Sequence, residues 1–374
     1  MKECMNKVTA NVLDSKALNR AMLARQMLLS RVKLPVLDAI ERLVGLQAQA
    51  PNAPYFALWT RVESFRQHQL SDLIQERKAV RMALMRSTLH LTSASDAMQL
   101  RPWLQDVMER SLNGTYGKQL KGVDIAQLAQ AGRKLIEEEP LTFKELGLRL
   151  RESWPDLHPE VISGVVRNLV PLVQTPPRGI WGKSGLAKHT SAEFWLGQAL
   201  SSQPNADIMV KRYLAAFGPA TVKDIQAWSG LSRITDVVEA IRPELVTFRD
   251  VQGSELFDLP DAPRPDKDTP SEPRFLGEFD NTLLSYANRN RIIEDKYRTR
   301  VFTVNGIIRA AILIDGFVAG TWKLKHEHGK TSLCIDCFEM LPQQVVDALQ
   351  DEGTRLLHFA APEAAAKEVV IQSC

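Results

Sequence analysis

The sequence predicts an α+β protein made of tandem winged-helix units, three in number, followed by a C-terminal β-barrel-like region. Three observations predict it. Amphipathic helices are followed by short β-forming ribbons, and that order recurs along the chain. Two helix starts share a Thr-x-Lys-acid-aliphatic signature, at Thr142, Lys144, Glu145 and Leu146 and again at Thr221, Lys223, Asp224 and Ile225. In each, the threonine caps the helix and the acid three positions on reaches back to it. Beyond residue 274, Asn305-Gly306 and Asp315-Gly316 interrupt β-forming runs, as tight turns do in a meander.

Taken in order, residues 17–31 read as a helix, and so do 35–45, where Val36, Leu37, Ile40, Leu43 and Val44 recur at helical spacing. Pro54 opens a third helix in its first turn, and Ser71 caps a fourth. The runs AVRMALM and STLHLT then form a ribbon around Arg86, and Ser93 with Asp96 opens the next helix. The first winged helix spans 10–115, the second 116–200 and the third 201–258, which ends on a hairpin turned at Gln252-Gly253-Ser254. Residues 259–274 hold five prolines among many charges and read as a linker. Residues 275–374 form the β-rich region, closed by a terminal helix. The alternative is one irregular helical domain whose caps match by chance.

With 374 residues the chain suits two to four compact units. Its 44% hydrophobic and 24% charged content is that of a soluble globular protein. No run approaches the roughly 18 apolar residues of a membrane span, and the N-terminal stretch lacks the apolar core of a signal peptide. A cytoplasmic monomer with no membrane partner is expected. Four cysteines argue against a disulfide framework and fit a reducing compartment. Residues 1–100 carry 14 Lys/Arg against 8 Asp/Glu, whereas residues 251–374 carry 14 against 19. The basic front points to a polyanion.

The stretch GLQAQAPNAPYFALW, residues 45–59, places Gln47 and Gln49 at a helix exit. Pro51 disfavours helix at the residue before it, and Gly45 stands near a helix end. If 47–50 are extended, the strand period of two turns both primary amides to one side. They would then form either a convergent polar pair or a pair satisfying a neighbouring turn's backbone. In RSTLHL, alternation sets Ser87, Leu89 and Leu91 on one face and Thr88 and His90 on the other. The wing-like TPPRGIWGKSG offers Arg178, Trp181 and Lys183 for phosphate contact and stacking. YANRNRIIEDKYRTR, residues 286–300, holds five basic residues and two acidic ones. His326, His328, Cys334 and Cys337 invite a zinc reading, but cysteines three apart in a strand point to opposite faces. No metal site and no cofactor are expected. Phosphate-binding GxxxxGK[ST], dinucleotide GxGxxG, and hydrolase GxSxG and HExxH signatures are all missing from the sequence.

Seven segments, in order, resemble the AlkZ/YcaQ-like family of bacterial DNA glycosylases: LNRAMLARQMLLSR, GLQAQAPNAPYFALWTRV, VRMALMRSTLHLTSASD, LVQTPPRGIWGKSG, FGPATVKDIQAWSGL, LGEFDNTLLSYANRNRI and VNGIIRAAILIDGFVAGTWKLK. The resemblance implies three winged helices with a C-terminal barrel region. It also implies excision of bulky N-alkylated purines from duplex DNA, interstrand crosslinks included. The family's Gln-x-Gln motif stands here as Gln47-Ala48-Gln49, which makes both glutamines the catalytic candidates. Around them Ser87, Thr88 and His90 are expected at the pocket rim. Arg86, Arg178, Lys183, Arg289 and Arg291 are expected on the DNA backbone, with Trp181 stacking. A winged-helix protein that binds DNA without catalysis is the alternative.

Overall fold

The computed structural model describes residues 12–373, positions 204 and 328 excepted. Helices and three sheets alternate along them, so the mixed α+β class stands. The helix starts read from the sequence are built as expected. The Glu145 amide donates to Thr142 Oγ1 at 3.2 Å while the Thr142 amide donates to Glu145 Oε2 at 2.8 Å. Thr221 and Asp224 repeat the exchange at 3.1 and 2.9 Å. Ser93 Oγ accepts the Asp96 amide at 3.1 Å. One start differs. The helix Gln67–Gln75 begins four residues before Ser71, because Gln69 Oε1 accepts the Arg66 amide at 2.8 Å and closes the first turn there. Ser71 is left inside the helix, its hydroxyl 2.9 Å from that of Tyr55.

The sheet that matters for function runs in the order Leu46–Gln47, Leu89–Ser93, Ala79–Ala83, Leu172–Gln174, His189–Ser191, with every pairing antiparallel. Two ribbons far apart in the chain thus merge through Arg81 opposite Gln174 and Met82 opposite Val173. A smaller sheet pairs Val12–Leu13 in parallel with Val246–Asp250, which turns at Gly253 into Glu255–Asp258.

The third sheet corrects the barrel expectation. Its order is Ala366–Ser373, Lys330–Cys337, Phe317–Glu327, Ala311–Ile314, Arg274–Leu276, and the two edge strands do not pair. The sheet is open. Its apolar face is buried not by closure but by the helix Gln343–Ala360, whose Leu349, Leu356 and Leu357 share a cluster with Leu333, Ile335 and Cys337. Gly353 allows that approach, since a Cβ there would lie 3.1 Å from Leu333 and 3.2 Å from Val369. The helix does not end the fold either. Ala366–Ser373 follows it and pairs in parallel with Lys330–Cys337. Asn305-Gly306 turns a loop bridged at Phe302 and Ile308 rather than joining two strands of the sheet.

The proline-rich 259–274 segment lies against the N-terminal helix Ser15–Arg25. Arg25 Nε donates to the Pro263 carbonyl at 3.3 Å, and Arg20 Nε donates to the Thr269 carbonyl at 2.7 Å. One hydrophobic cluster takes Met22, Met82, Tyr213, Phe217, Leu283 and Phe338 together, so burial is continuous from the first helix to the C-terminal sheet.

Two ion pairs sit wholly inside. Arg25 contacts Asp258 at 2.6 Å, and Arg61 meets Asp280 with two parallel bonds of 2.9 and 2.8 Å. Removing one partner of such a pair strands a charge in low dielectric, at about 3–5 kcal/mol. Asp280→Ala is therefore expected to lower unfolding free energy by about 3–5 kcal/mol, read from urea denaturation at unchanged m-value.

Candidate active site

The helix Val36–Arg42 stops in two left-handed residues, Val44 at φ +54° and Gly45 at φ +84°. Glycine suits the second, because a Cβ there would also press to 3.1 Å from the Leu91 carbonyl. The turn delivers Leu46 opposite Leu91 and Gln47 opposite His90, and the Ala48 amide donates to the Leu89 carbonyl at 2.8 Å. The backbone is extended across 46–48, so Gln47 and Gln49 emerge on one side. Their amides touch, with Gln47 Nε2 donating to Gln49 Oε1 at 2.6 Å. Gln47 is buried and Gln49 is exposed.

Arg86 fixes which way the amides face. Its Nη2 lies 2.7 Å from Gln47 Oε1, and its Nη1 donates to the Trp228 carbonyl at the end of the helix Val222–Ser229. A guanidinium only donates, so Gln47 presents its carbonyl to Arg86 and its NH₂ to Gln49. Gln49 in turn gives its carbonyl to Gln47 and keeps its NH₂ outward. The result is a directed chain from a half-buried cation to a solvent-facing amide. Arg86 is aimed by a left-handed backbone, φ +56°, an uncommon state for a residue with a side chain. Gly230, at a helix C-terminus, packs against it, since a Cβ there would fall 3.2 Å from Arg86 Cα.

Two further residues hold the strand. Asn281 Oδ1 accepts the Gln47 amide at 3.1 Å while its Nδ2 donates to the Gly45 carbonyl at 2.7 Å. Arg81 Nη2 donates to the Ala48 carbonyl at 2.8 Å, and its Nε donates to Gln174 Oε1 at 3.1 Å. Gly179, at φ +93°, admits that arginine, whose Cδ would lie 2.6 Å from a Cβ. Burial brings Arg81 and Arg86 down to a pKa of about 10, with Arg178 adding to the first shift and Arg289 to the second. Both stay cationic at neutral pH, and no carboxylate offsets either among the described residues. The site is thus a hydrogen-bonded amide pair whose strand rests on two cationic side chains.

A family model for DNA glycosylase AlkZ-like proteins matches residues 40–359, which contain the pair and all its supports. The chain belongs to the AlkZ-like DNA glycosylase family. A relative from Streptomyces sahachiroi, described as an interstrand DNA cross-link repair glycosylase, is 25% identical over 332 residues, 80% of this chain and 85% of the relative. The solved structure of Streptomyces sahachiroi DNA glycosylase AlkZ matches with a TM-score of 0.76 at 20% identity, covering 97% of this chain and 100% of that one. The fold is shared.

In this AlkZ-like glycosylase the other expected site residues divide. Arg86 supports Gln47 rather than reaching for a phosphate, since both ends of its guanidinium are engaged inside. Arg291 is withdrawn too. It is buried, donates to the Pro219 carbonyl at 2.7 Å, lies 3.7 Å from Asp224 and stacks over Tyr286. Trp181 is not a free stacking platform. Its ring packs 5.0 Å from Tyr55, 5.7 Å from Phe56 and 5.6 Å from Phe359, and Tyr55 anchors its loop. Ser87 and His90 are buried rather than on a rim, and Thr88 Oγ1 donates to the Met85 carbonyl at 3.0 Å. The alternation assumed for Ser87 fails because the strand starts at Leu89 and Ser87 belongs to the turn, at φ +57°. Lys183 is exposed, Arg178 half-buried, and Arg289 stacks 4.8 Å over Phe302.

Of the zinc candidates, His328 lies outside the described residues. Cys337 faces the core while Cys334 lies on the sheet's other face, in a cleft of about 680 Å³ also lined by Asn52, Glu278 and Lys323. Asn281, Asp280, Arg61 and Arg81 went unnoticed in the sequence. The GEFDN stretch carried a faint signal for two of them.

His90 Nδ1 lies 2.9 Å from the Thr88 carbonyl, which can only accept, so Nδ1 carries the proton. Burial and the Arg86 charge bring its pKa down from 6.5 to about 3. Between those values the unfolded chain binds the extra proton, so stability is full above 6.5 and falls as pH drops toward 3. The slope reaches about 1.4 kcal/mol per pH unit. His90→Gln should flatten that slope in denaturation curves taken from pH 7 to pH 4. Arg86→Met removes the orienting donor and a half-buried charge without a carboxylate partner together. Excision should fall about 10–100-fold while the melting temperature holds or rises, a split that separates positioning from folding.

Proposed function

We propose that this glycosylase hydrolyses the N-glycosidic bond of bulky or cationic N-alkylated purines in duplex DNA. N7-alkylguanine and purines joined in interstrand crosslinks are the substrates in view, and an abasic site is the product. The oriented Gln47–Gln49 pair carries this reading. Cleavage passes through an oxocarbenium-like sugar as the base leaves, a step that glycosidases usually assist with carboxylates. Neither glutamine ionises. Each carbonyl keeps one lone pair beyond its hydrogen bond, enough to accept a proton from water and hold that water toward C1′. The same dipoles stabilise positive charge growing on the sugar.

Catalysts this mild suffice when the leaving group is already activated. A purine alkylated at N7 is cationic before cleavage and departs neutral, whereas normal bases leave poorly. Selectivity then comes from the lesion's own lability. No lysine is among the hydrogen-bonding partners of either glutamine, which supports a monofunctional enzyme. The helix-and-ribbon units at 10–115, 116–200 and 201–258 are read as three winged helices that grip the backbone, with Arg178, Lys183 and Arg289 among the contacts and residues 259–274 joining them to the 275–374 sheet. The enzyme would act as a cytoplasmic monomer. The Streptomyces relative's description supports the crosslink assignment, and family membership favours catalysis over a purely DNA-binding role.

Duplex DNA bearing N7-methylguanine, incubated with enzyme and then treated with alkali, should show strand breaks at the lesion. Gln47→Ala and Gln49→Ala should each lower single-turnover excision about 10²–10³-fold with circular dichroism unchanged. Absence of release from any alkylated duplex at excess enzyme overturns the reading.

A further inference from the structure

The cleft of about 680 Å³ is built by the two chain segments that also carry the candidate active site. One runs on from Gln49 and brings Asn52, Ala53 and Phe56 to the cleft. The other brings Glu278, three residues before the Asn281 that clamps Gln47. The two approach closely, since a Cβ on Gly277 would lie 3.1 Å from the Ala53 carbonyl and 3.2 Å from Phe56. Phe56 meets Trp322 edge to face at 5.3 Å and gives the cleft an aromatic wall. Its volume falls in the range of small-molecule sites.

Glu278 is the unusual member of this lining. Its side chain reaches solvent, yet the cleft walls desolvate the carboxyl and push its pKa above the usual carboxylate value. Arg309 and Lys323 line the same cleft, but neither offsets that burial. Arg309 Nη1 is turned to the Arg300 carbonyl at 3.2 Å, and the cleft's other carboxylate, Asp336, pairs with Arg300 at 3.3 Å. Among the described residues no hydrogen bond or ion pair engages Glu278. On a protein that binds DNA such a group is costly, because like charges brought face to face repel. The fold itself makes no use of it.

We propose that Glu278 is a specificity-determining residue that selects for charge: its carboxylate receives the cationic alkylated purine nucleotide presented to the glutamine pair. The proposal rests on the cationic substrate of the preceding reading. Opposite charges attract more strongly in a partly desolvated cleft than in open water. A purine alkylated at N7 gains from this, and a normal purine does not. Phe56 and Trp322 offer the alkyl substituent an apolar surface beside the carboxylate. Once the glycosidic bond breaks, the purine is neutral and the carboxylate no longer holds it. Glu278 thus filters on charge at the binding stage, ahead of the lability that governs cleavage.

The test compares two duplexes that differ in one charge. One carries N7-methylguanine and the other 7-methyl-7-deazaguanine, a neutral base of the same shape, both on a 2′-fluoro sugar that resists cleavage. Dissociation constants are read by fluorescence anisotropy at about pH 8, above the carboxylate range, and at one salt concentration. Wild-type enzyme should bind the cationic duplex about tenfold more tightly. Glu278→Gln, equal in size and uncharged, should bring the two constants together, with the neutral duplex bound as tightly as before or more so. Thermal melting should hold, because the side chain makes no contact in the fold. A preference that survives in Glu278→Gln, no preference with wild type, or an equal loss for both duplexes overturns the proposal. Excision is measured separately on the unfluorinated lesion. Excision without a charge preference sinks the role of Glu278 and keeps the glycosylase chemistry, whereas a preference without excision does the reverse.

Discussion

The buried pair between Arg61 and Asp280 is the constraint on which the candidate active site depends. Asp280 accepts two bonds from Arg61 and two more from the amide and hydroxyl of Thr282, so its carboxylate is saturated and its position leaves little freedom. Asn281 follows directly and clamps Gly45 and Gln47 with one side chain. The helix Ala53–Trp59 feeds Arg61, because Arg61 also donates to the Ala57 carbonyl at 3.0 Å. A single corner therefore joins the N-terminal helices, the short strand carrying the glutamines and the start of the C-terminal sheet. Desolvating two charges is expensive and is offset only when the geometry is close to ideal. Such a joint tolerates little displacement, which a site made of neutral amides needs.

The same logic extends to the two unpaired arginines. Buried Arg81 and half-buried Arg86 are held by carbonyl and amide oxygens: Ala48, Gln174, Trp228 and Gln47. A carboxylate partner would have cancelled their charge. Its absence among the described residues leaves the cation's field to polarise the amide chain, an effect that low local dielectric strengthens. His90, directly opposite Gln47, adds no charge because burial keeps it neutral.

How much of this could be read in the sequence follows from distance along the chain. Capping boxes at Thr142 and Thr221 were legible because three residues contain the whole interaction. Convergence of Gln47 and Gln49 was legible because Gly45 and Pro51 set the local backbone. The contacts of Arg86, expected at the DNA backbone, were not legible because they depend on a left-handed turn and on Trp228, which lies 142 positions away. Arg291 was expected on the DNA backbone and Trp181 as a stacking residue, yet Arg291 stacks over Tyr286 and Trp181 packs on Tyr55 and Phe359 from distant segments. The barrel was inferred from turn signals that fix where strands reverse and leave open whether the outer edges meet. Here a terminal helix took the face that closure would have covered.

The clamp on Gln47 also has a consequence in time. Asn281 lies 234 residues downstream of it, so at about 5–20 residues per second the ribosome needs roughly 10–50 s to make the second after the first. Throughout that interval the nascent chain displays both glutamines without the side chain that aligns them. If the glutamines carry the proposed chemistry, catalytic competence is acquired late in synthesis, and a chain truncated before residue 281 would lack the clamp on Gln47 however well its first helices fold.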